Sequence, residues 1–305
     1  MAIKRGKQTY LFQHPAAVQS FAAIGSKREG EGPLGEYFDT INPDSTFGQK
    51  SWERAESRLH HDTVELAVKK AGLSYADLDC LLAGDLLNQC IGATFGVREL
   101  GIPYLGIYGA CSNMAEGLLL ASFLAESGLG HLGVSTASHF CTAERQYRFP
   151  LEYGGQRPPT SQWTVTGGGA VVVTGPAAQQ PGQAGPWIQA AAIGTIEDKG
   201  IQDAANMGAA MAPAAAATIL GFLSDTGTTP EDYDLILTGD LGQVGSDLLY
   251  ELALREGWIC APGTPTAACS STTGTGRMSM PGVRGAAAVP PFCAAISCRR
   301  SGPGG

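Results

Sequence analysis

The sequence predicts an α/β protein whose two similar halves pack into a layered α/β/α/β/α fold, with the second half incomplete. Three observations predict this architecture. Short apolar segments of strand length alternate with segments of helical pattern along most of the chain. A helix–turn–strand pattern occurs twice, at a constant offset of 155 residues. Glycine supplies 42 of the 305 residues, which favours tight turns and close packing between elements.

The repeat is the most informative of these observations, because residues 72–85 align with residues 227–240 without a gap. In each copy a helical pattern, over 62–71 and 213–224, ends at a glycine of the C-cap type. A short apolar strand then runs into a Gly-Asp pair. Duplication explains this shared order and spacing better than coincidence does. The identical positions are Gly72/Gly227, Asp77/Asp232, Asp79/Asp234, Leu82/Leu237, Gly84/Gly239, Asp85/Asp240 and Leu86/Leu241.

The other elements of the first half follow in strand–helix order. The pattern predicts a strand over 102–108, a turn over 109–112, a helix over 113–127 and a strand over 132–137. Residues 163–174 predict a strand pair with a glycine-rich hinge at 167–169. This glycine run lacks the G-x-G-x-x-G spacing and the strand–turn–helix context of a dinucleotide site, so no cofactor is predicted.

Three segments are predicted along the chain: an N-terminal half over 1–180, a partial C-terminal half over 181–262, and an aberrant tail over 263–305. From residue 261 onward the chain holds no Asp or Glu and shows no clear period. Disorder is one interpretation. The other is a frameshift near residue 262. The codons for residues 264–285, read two bases later, can encode a strand, a turn and a second strand with a glycine-rich corner.

Composition and charge exclude several classes of function. The net charge of −8 and the pI of about 5.1 leave no general basic field for nucleic acid, so an anionic ligand needs a local basic patch. Eight cysteines without a C-x-x-C pair are typical of reduced thiols in a cytosol-like compartment. No signal peptide is predicted. The apolar stretch over 208–223 contains Pro213 and is short for a bilayer, so it predicts a buried helix rather than a membrane span.

Cys111 is the strongest single candidate for a functional residue. It lies at a strand-to-helix turn with small neighbours, where the helix dipole and free N–H groups favour a thiolate. The alternative is an inert buried thiol, since free cysteine is often a core residue. Cys80 and Cys90 lie in or beside apolar runs and are assigned to the core.

Further candidates follow the predicted strands. His139 comes just after the strand at 132–137, where the carboxyl end of a sheet places ligand-binding groups, although a structural histidine fits equally well. Arg145 and Arg148 share a helix face and could hold two carboxylates, with a Glu144–Arg148 surface pair as the alternative. Asp85, Asn88 and Ser112 are predicted to line the same site. The histidine pair His60-His61 is assigned to the solvated surface, and no metal site is predicted.

Several motifs resemble a known family. The helix–turn–strand pattern and the turn at Cys111 are similar to the thiolase superfamily, in particular its ketoacyl-synthase III branch. Over residues 4–260 the chain resembles the stage V sporulation protein AD (SpoVAD) family more specifically. The motifs that carry this resemblance are Gly6-Lys-Gln-Thr, Glu31-Gly-Pro-Leu-Gly35, Ala83-Gly-Asp-Leu-Leu-Asn-Gln89, Tyr108-Gly-Ala-Cys-Ser112, Ala143-Glu-Arg-Gln-Tyr-Arg148, Glu152-Tyr-Gly-Gly-Gln156 and Met207-Gly-Ala-Ala-Met-Ala-Pro-Ala214.

The resemblance implies a thiolase-like fold and a protein that binds dipicolinic acid (pyridine-2,6-dicarboxylate), free or as its calcium chelate, for uptake into developing spores. It also implies peripheral association with the spore inner membrane, other SpoVA membrane proteins as partners, and a homodimer. The family's Asp-Cys-Gly strand and Gly-Gly-Ser-Gly-Cys corner are missing from the printed frame. The shifted frame restores both.

Two other functions remain open. In an acyltransferase, Cys111 would be the nucleophile, and this chemistry needs a base and oxyanion donors. Thiolase-type enzymes take a histidine from their C-terminal half, whereas the five histidines of this chain end at His139, which favours a protein that is not an enzyme. A frameshift near residue 262 could have removed such a histidine, so this reasoning is weaker for the intact gene. A purely structural partner of a membrane channel, without a ligand, is the third hypothesis.

Overall fold

A computed structural model of the chain describes residues 1–32, 34–147, 164–182, 185–203, 206–239 and 241–258. The predicted tail at 263–305 and Arg148 lie outside these residues. The strands are β1 (Ile3–Arg5), β2 (Thr9–Ser26), β3 (Thr40–Asn42), β4 (Cys80–Gly84), β5 (Tyr104–Gly106), β6 (His131–Ser138), β7 (Gly167–Thr174) and β8 (Trp187–Ala192). The α-helices are α1 (Lys27–Gly30), α2 (Trp52–Ala71), α3 (Ile91–Val97), α4 (Asn113–Glu126), α5 (Phe140–Tyr147), α6 (Met207–Thr226) and α7 (Gly242–Arg255).

One mixed sheet holds the first half together, in the order β1-β2-β7-β6-β4-β5, and β3 and β8 also pair with β2. Strand β4 lies parallel to both β5 and β6, whereas β7 runs antiparallel to β6 and β2. The ends of β4 and β6 therefore meet at the same edge of the sheet. This edge is where the candidate residues that follow these strands come together.

The layers follow from the alternation of side chains along the strands. Leu81 and Ala83 of β4 pack with α2 and α3 on one face, and Leu82 packs with α4 on the other. Strand β8 lies beyond α4: Ile188 joins the α4 cluster, while Ala190 faces the opposite way and packs on α6. The order is thus α2/α3, sheet, α4, β8, α6/α7, which confirms the predicted layered α/β fold.

The predicted hinge at 167–169 was wrong, because these glycines lie inside the continuous strand β7. A Cβ at Gly168 would lie 2.7 Å from Thr63 Oγ1 and 3.1 Å from Leu59 Cγ, both on α2. The glycines therefore let helix α2 approach the sheet closely. They do not let the chain bend.

The duplication is visible in the helices. α2 and α6 each have 20 residues and both end at a left-handed glycine, Gly72 with φ 72° and Gly227 with φ 67°. A 3₁₀ turn with a capping box follows each helix, formed by Ser74 with Asp77 in one copy and by Thr229 with Asp232 in the other. All these pairs are 155 residues apart. Both helices begin earlier than the sequence pattern indicated.

The second copy of the predicted strand differs from the first. Residues 80–84 form β4 between two neighbours, whereas the described residues at 233–239 form no strand. Leu235 and Leu237, which correspond to buried positions 80 and 82, are 53% and 47% exposed. An isolated strand is not stable without hydrogen-bonding neighbours. In the first half, the neighbours of β4 are β5 and β6, and both strands come later in the chain than β4. The predicted segment boundaries at 180 and 262 stay predictions.

Helix α6 is the one helix among the described residues that is long and apolar enough to cross a membrane, with a mean hydropathy of 1.5. It packs against other elements of the fold, however. Phe222 and Leu223 are buried against β8, and Gly208 allows close contact with Gly245 of α7. These contacts agree with the predicted core helix.

Candidate functional site

The turn that carries Cys111 is held in a strained conformation. Residues Ala110–Ser112 form a single 3₁₀ turn directly before α4, and Ala110 has a left-handed φ of 48°. Buried Asn113 fixes this turn, because its Oδ1 accepts from Gly109 N at 2.8 Å. Its Nδ2 donates to the backbone oxygen of Asp85 at 3.0 Å. The turn is thereby tied to the end of β4.

Cys111 is 3% exposed and packs against Leu86 and Ala143. These three residues come from the turn, from the loop after β4 and from helix α5. Ser112 is half-buried, and its Oγ donates to Gly109 O at 2.9 Å. The prediction that Cys80 and Cys90 are core residues is confirmed, since both are buried and burial raises the pKa of both thiols.

Asp85 is fully buried and closes the loop after β4. Its carboxylate accepts from Leu87 N at 2.7 Å and from Ala93 N at 2.6 Å. Burial raises its pKa to about 6, against the opposing effect of these backbone hydrogen bonds. Because its side chain is buried and accepts backbone N–H groups of the chain that follows β4, Asp85 shapes this loop and is not exposed to a ligand.

Asn88, by contrast, is exposed to solvent. Its Oδ1 accepts from Tyr108 Oη at 2.8 Å and from Gln146 Nε2 at 3.3 Å. Gln146 Nε2 also donates to Leu86 O at 3.0 Å. The loop after β4 and helix α5 are thus joined by amide groups. Arg145 precedes Gln146 on this helix, and the description of Arg145 is limited to its backbone.

The ring of His139 is buried, and its contacts lie with Ser45, Cys141 and Trp52. Its Nε2 lies 2.8 Å from Ser45 O, its Nδ1 accepts from Cys141 N at 3.1 Å, and the ring stacks on Trp52. A donating Nε2 and an accepting Nδ1 describe a neutral imidazole. Burial lowers the pKa of His139, in agreement with that tautomer. In this arrangement the ring is an anchor for the start of α5 and not a cation for a ligand.

The assignment of residues 60–61 to the surface was wrong for His60, which is fully buried. It shares the inner face of α2 with Glu56, Thr63 and Val64, at helical spacing. Its Nδ1 lies 3.1 Å from Ser135 Oγ, and burial lowers its pKa to about 3. The helical spacing of these four residues could have predicted that His60 is buried. It was missed because Glu56 and His60 are polar and do not extend the apolar pattern of the helix.

His61 lies on the outer part of α2, where it forms a cluster of potential metal ligands with Asp62 and Glu65. Arg58 Nε is 2.7 Å from Asp62 Oδ1, so a guanidinium already neutralises this carboxylate. The cluster is therefore a weak candidate for a metal ion.

Glu56 and Thr142 also escaped the sequence prediction. Thr142 lies on α5, and its Oγ1 contacts both Glu56 Oε2 and, at 2.8 Å, His139 O. Glu56 lies on α2 close to Asp85, so two buried carboxyl groups meet beneath the loop. The sequence does not indicate these contacts of Glu56, because Asp85 and Thr142 are distant from it along the chain and come close only after folding.

Comparison with known proteins gives two kinds of match. A family model described as stage V sporulation protein AD (SpoVAD) matches residues 6–264. The stage V sporulation protein AD of Bacillus subtilis is 46% identical over 254 residues, which cover 83% of this chain and 73% of that protein.

Solved structures resemble the chain at low identity. Cerulenin-bound OleA of Xanthomonas campestris aligns with a TM-score of 0.59 and 13% identity, over 90% of this chain and 88% of that chain. The 3-oxoacyl-(acyl carrier protein) synthase III of Xanthomonas oryzae aligns with a TM-score of 0.56 and 14% identity, over 90% and 89%. At such identities the likeness establishes the fold alone, which is the predicted thiolase-like fold of the ketoacyl-synthase III type.

Proposed function

Because the chain belongs to the stage V sporulation protein AD family, and so to sporulation, we propose that it binds dipicolinate, free or as its calcium chelate. The observation that carries the proposal is the convergence of three family-like motifs on one place. Leu86, Cys111 and Ala143 each come from a different motif and pack together. The sequence signature of the family is therefore also a spatial cluster.

The chemistry of the ligand suits the groups around this cluster. Dipicolinate has two carboxylates fixed on one flat ring, and such a dianion needs paired donors in a fixed geometry. We assign the charged contacts to Arg145 and Arg148, and the lining to Cys111, Ser112 and Asn88. His139 and Asp85 enter the proposal as residues that hold α5 and the loop, because their polar atoms are already engaged within the fold.

An acyl-transfer role is the competing proposal, favoured by one observation. Cys111 lies on a strained turn at the start of a helix, which is a suitable place for a nucleophile. His139, however, is neutral and bonded through both ring nitrogens, so it is not placed as a base for Cys111. The proposal therefore assigns Cys111 to the lining of a binding site.

Titration calorimetry tests the proposed function. We expect dipicolinate to release or absorb heat on binding to the wild type. Arg145→Ala and Arg148→Ala should each weaken binding at least about tenfold, since a hydrogen bond to a charged group contributes about 1.5–3 kcal/mol. Arg98→Ala, which removes an exposed arginine that pairs with Glu99, serves as the control and should bind normally. Pyridine-2-carboxylate, with one carboxylate, should bind more weakly.

Absence of heat from the folded wild type would remove the dipicolinate proposal and leave the structural-partner hypothesis. Hydrolysis of acyl-CoA by the wild type, lost in Cys111→Ala, would support the acyltransferase instead. The proposed setting is the inner membrane of the developing spore, with the other SpoVA membrane proteins as partners and a homodimer as the assembly. A sedimentation mass equal to one chain would contradict the homodimer.

A further inference from the structure

The two buried carboxyl groups beneath the candidate site, Glu56 and Asp85, form an unusual arrangement. Glu56 is 1% exposed, and its Oε1 has no hydrogen-bond partner among the described residues. The carboxyl of Asp85 lies close enough to raise the pKa of Glu56, and within the described part of the chain no lysine or arginine forms an ion pair with Glu56. Two buried negative charges without a cation would be strongly unfavourable.

The hydrogen bonds of the pair indicate where the charge lies. The carboxylate of Asp85 accepts backbone N–H groups from Leu87, Gly92 and Ala93, which stabilise its charged form. Glu56 has fewer donors, since among the described residues Thr142 and the backbone N–H of His139 are the two that approach its carboxyl group. We therefore assign the negative charge to Asp85 and the proton to Glu56.

The contacts of Thr142 support the same assignment independently. Its hydroxyl group has a single hydrogen, yet its Oγ1 lies within hydrogen-bonding distance of two oxygens, Glu56 Oε2 and His139 O. Both contacts are satisfied only if one of the oxygens also carries a hydrogen. A protonated Glu56 donates to Thr142 Oγ1, and Thr142 then donates to His139 O. This chain of hydrogen bonds ends on the backbone oxygen that begins α5.

We propose that Glu56 is a positioning residue for the dianion site, which acts in its protonated form by holding the first turn of α5 against α2. The inference rests on the proposed function. α5 carries Arg145 and, through Gln146, holds Asn88 and the loop after β4. Loss of the Glu56 proton brings a second negative charge beside Asp85. It also draws the Thr142 hydrogen away from His139 O, so the first turn of α5 loosens and ligand binding weakens.

The neighbouring titratable groups do not supply this effect. Among the described residues, Asp85 acts on Glu56 from the loop after β4, His139 approaches it at the start of α5, and His60 lies one turn further along α2. His60 and His139 both have pKa values lowered by burial, so they remain neutral and cannot compensate an ionised Glu56. Burial and the nearby Asp85 raise the pKa of Glu56 well above its usual value. Binding should therefore depend on pH in the range above that usual value.

The experiment measures dipicolinate affinity by calorimetry between pH 7 and pH 9, above the pKa of about 6 of Asp85, so that Asp85 stays ionised throughout. In the wild type we expect the Kd to rise with pH, by up to about tenfold per pH unit above the pKa of Glu56, because one proton is linked to binding. Glu56→Gln, whose neutral amide can donate to Thr142, should bind like the wild type at pH 7 and lose the pH dependence above it. Glu56→Ala should weaken binding at every pH. Glu65→Gln, an exposed change on the same helix, is the matched control and should keep the wild-type profile.

A second measurement does not need the ligand. Trp52 stacks on His139 at a centroid distance of 5.1 Å, so its indole N–H resonance reports on the start of α5. In the free wild type this resonance should shift with a pKa well above 4.5, and in Glu56→Gln it should not. A titrating Trp52 without dipicolinate binding would refute the proposed function but keep the role of Glu56 in holding α5. A wild-type profile that is independent of pH, or an unchanged profile in Glu56→Gln, would overturn the inference.

Discussion

At the scale of single residues, the polar groups that organise the site are mostly buried. Asn113 ties the Cys111 turn to β4, Asp85 closes the neighbouring loop, and His139 anchors α5. Sequence reasoning located Cys111, Asp85 and His139 because each follows a predicted strand. It could not distinguish a side chain that faces a ligand from one that faces the protein interior, since both occur at the carboxyl end of a strand.

His60 leads to a prediction about acid stability. Burial lowers its pKa to about 3 from a usual value of 6.5, so between these pH values only the unfolded chain binds the proton. Stability is therefore present above pH 6.5 and is lost as the pH falls toward 3, with a slope approaching about 1.4 kcal/mol per pH unit. Urea denaturation at pH 7 and pH 5 measures this loss.

Two neighbouring variants separate the effect of His60 from a general acid effect. His60→Gln should reduce the difference in stability between pH 7 and pH 5. His61→Gln, a change to a half-buried residue next to Asp62 on the same helix, should leave it unchanged. Equal losses in the two variants would show that His60 is not the residue that titrates.

At the scale of elements, regular apolar patterns were sufficient to predict β4, β5, β6 and α4 to within a few residues. α2 was predicted to begin at 62 but begins at Trp52. The prediction missed the first turns because polar residues, Glu56 and His60, lie on their buried face and interrupt the apolar pattern. The strand expected around 235 did not form within the described residues. A strand depends on neighbours from distant parts of the chain, which a local pattern does not contain.

The role of the β7 glycines in letting helix α2 pack closely on the sheet can be tested by substitution. Gly168→Ala would place a Cβ 2.7 Å from Thr63 Oγ1 and 3.1 Å from Leu59 Cγ, so α2 or the strand must shift. We expect a loss of about 1–3 kcal/mol in the free energy of unfolding, as in other overpacked interiors. The neighbouring Gly167→Ala meets its nearest atom, Val165 Cγ1, at 3.2 Å and should cost less. Denaturant unfolding of both variants provides the comparison, and equal stabilities would contradict close packing as the role of Gly168.

At the scale of the whole molecule, duplication explains why the chain has two helices of equal length with the same caps. Within the described residues the two copies differ in one element, since the first copy forms strand β4 whereas residues 233–239 form no strand. The Cys111 turn, α5 and the loop after β4 all belong to the first half, so the proposed ligand site is built there. The internal repeat was readable from the sequence because its glycine and aspartate positions are set by turn geometry, which tolerates few other residues.

The central claim is that the family-like motifs meet to form a site for an aromatic dianion beside Cys111. A crystal structure of the chain with dipicolinate tests this claim most directly. It should contain the ligand between the Cys111 turn and α5, with its carboxylates facing the arginines of α5 and the segment that follows. A ligand bound at any other place, or crystals that stay free of it at a saturating concentration, would contradict the claim.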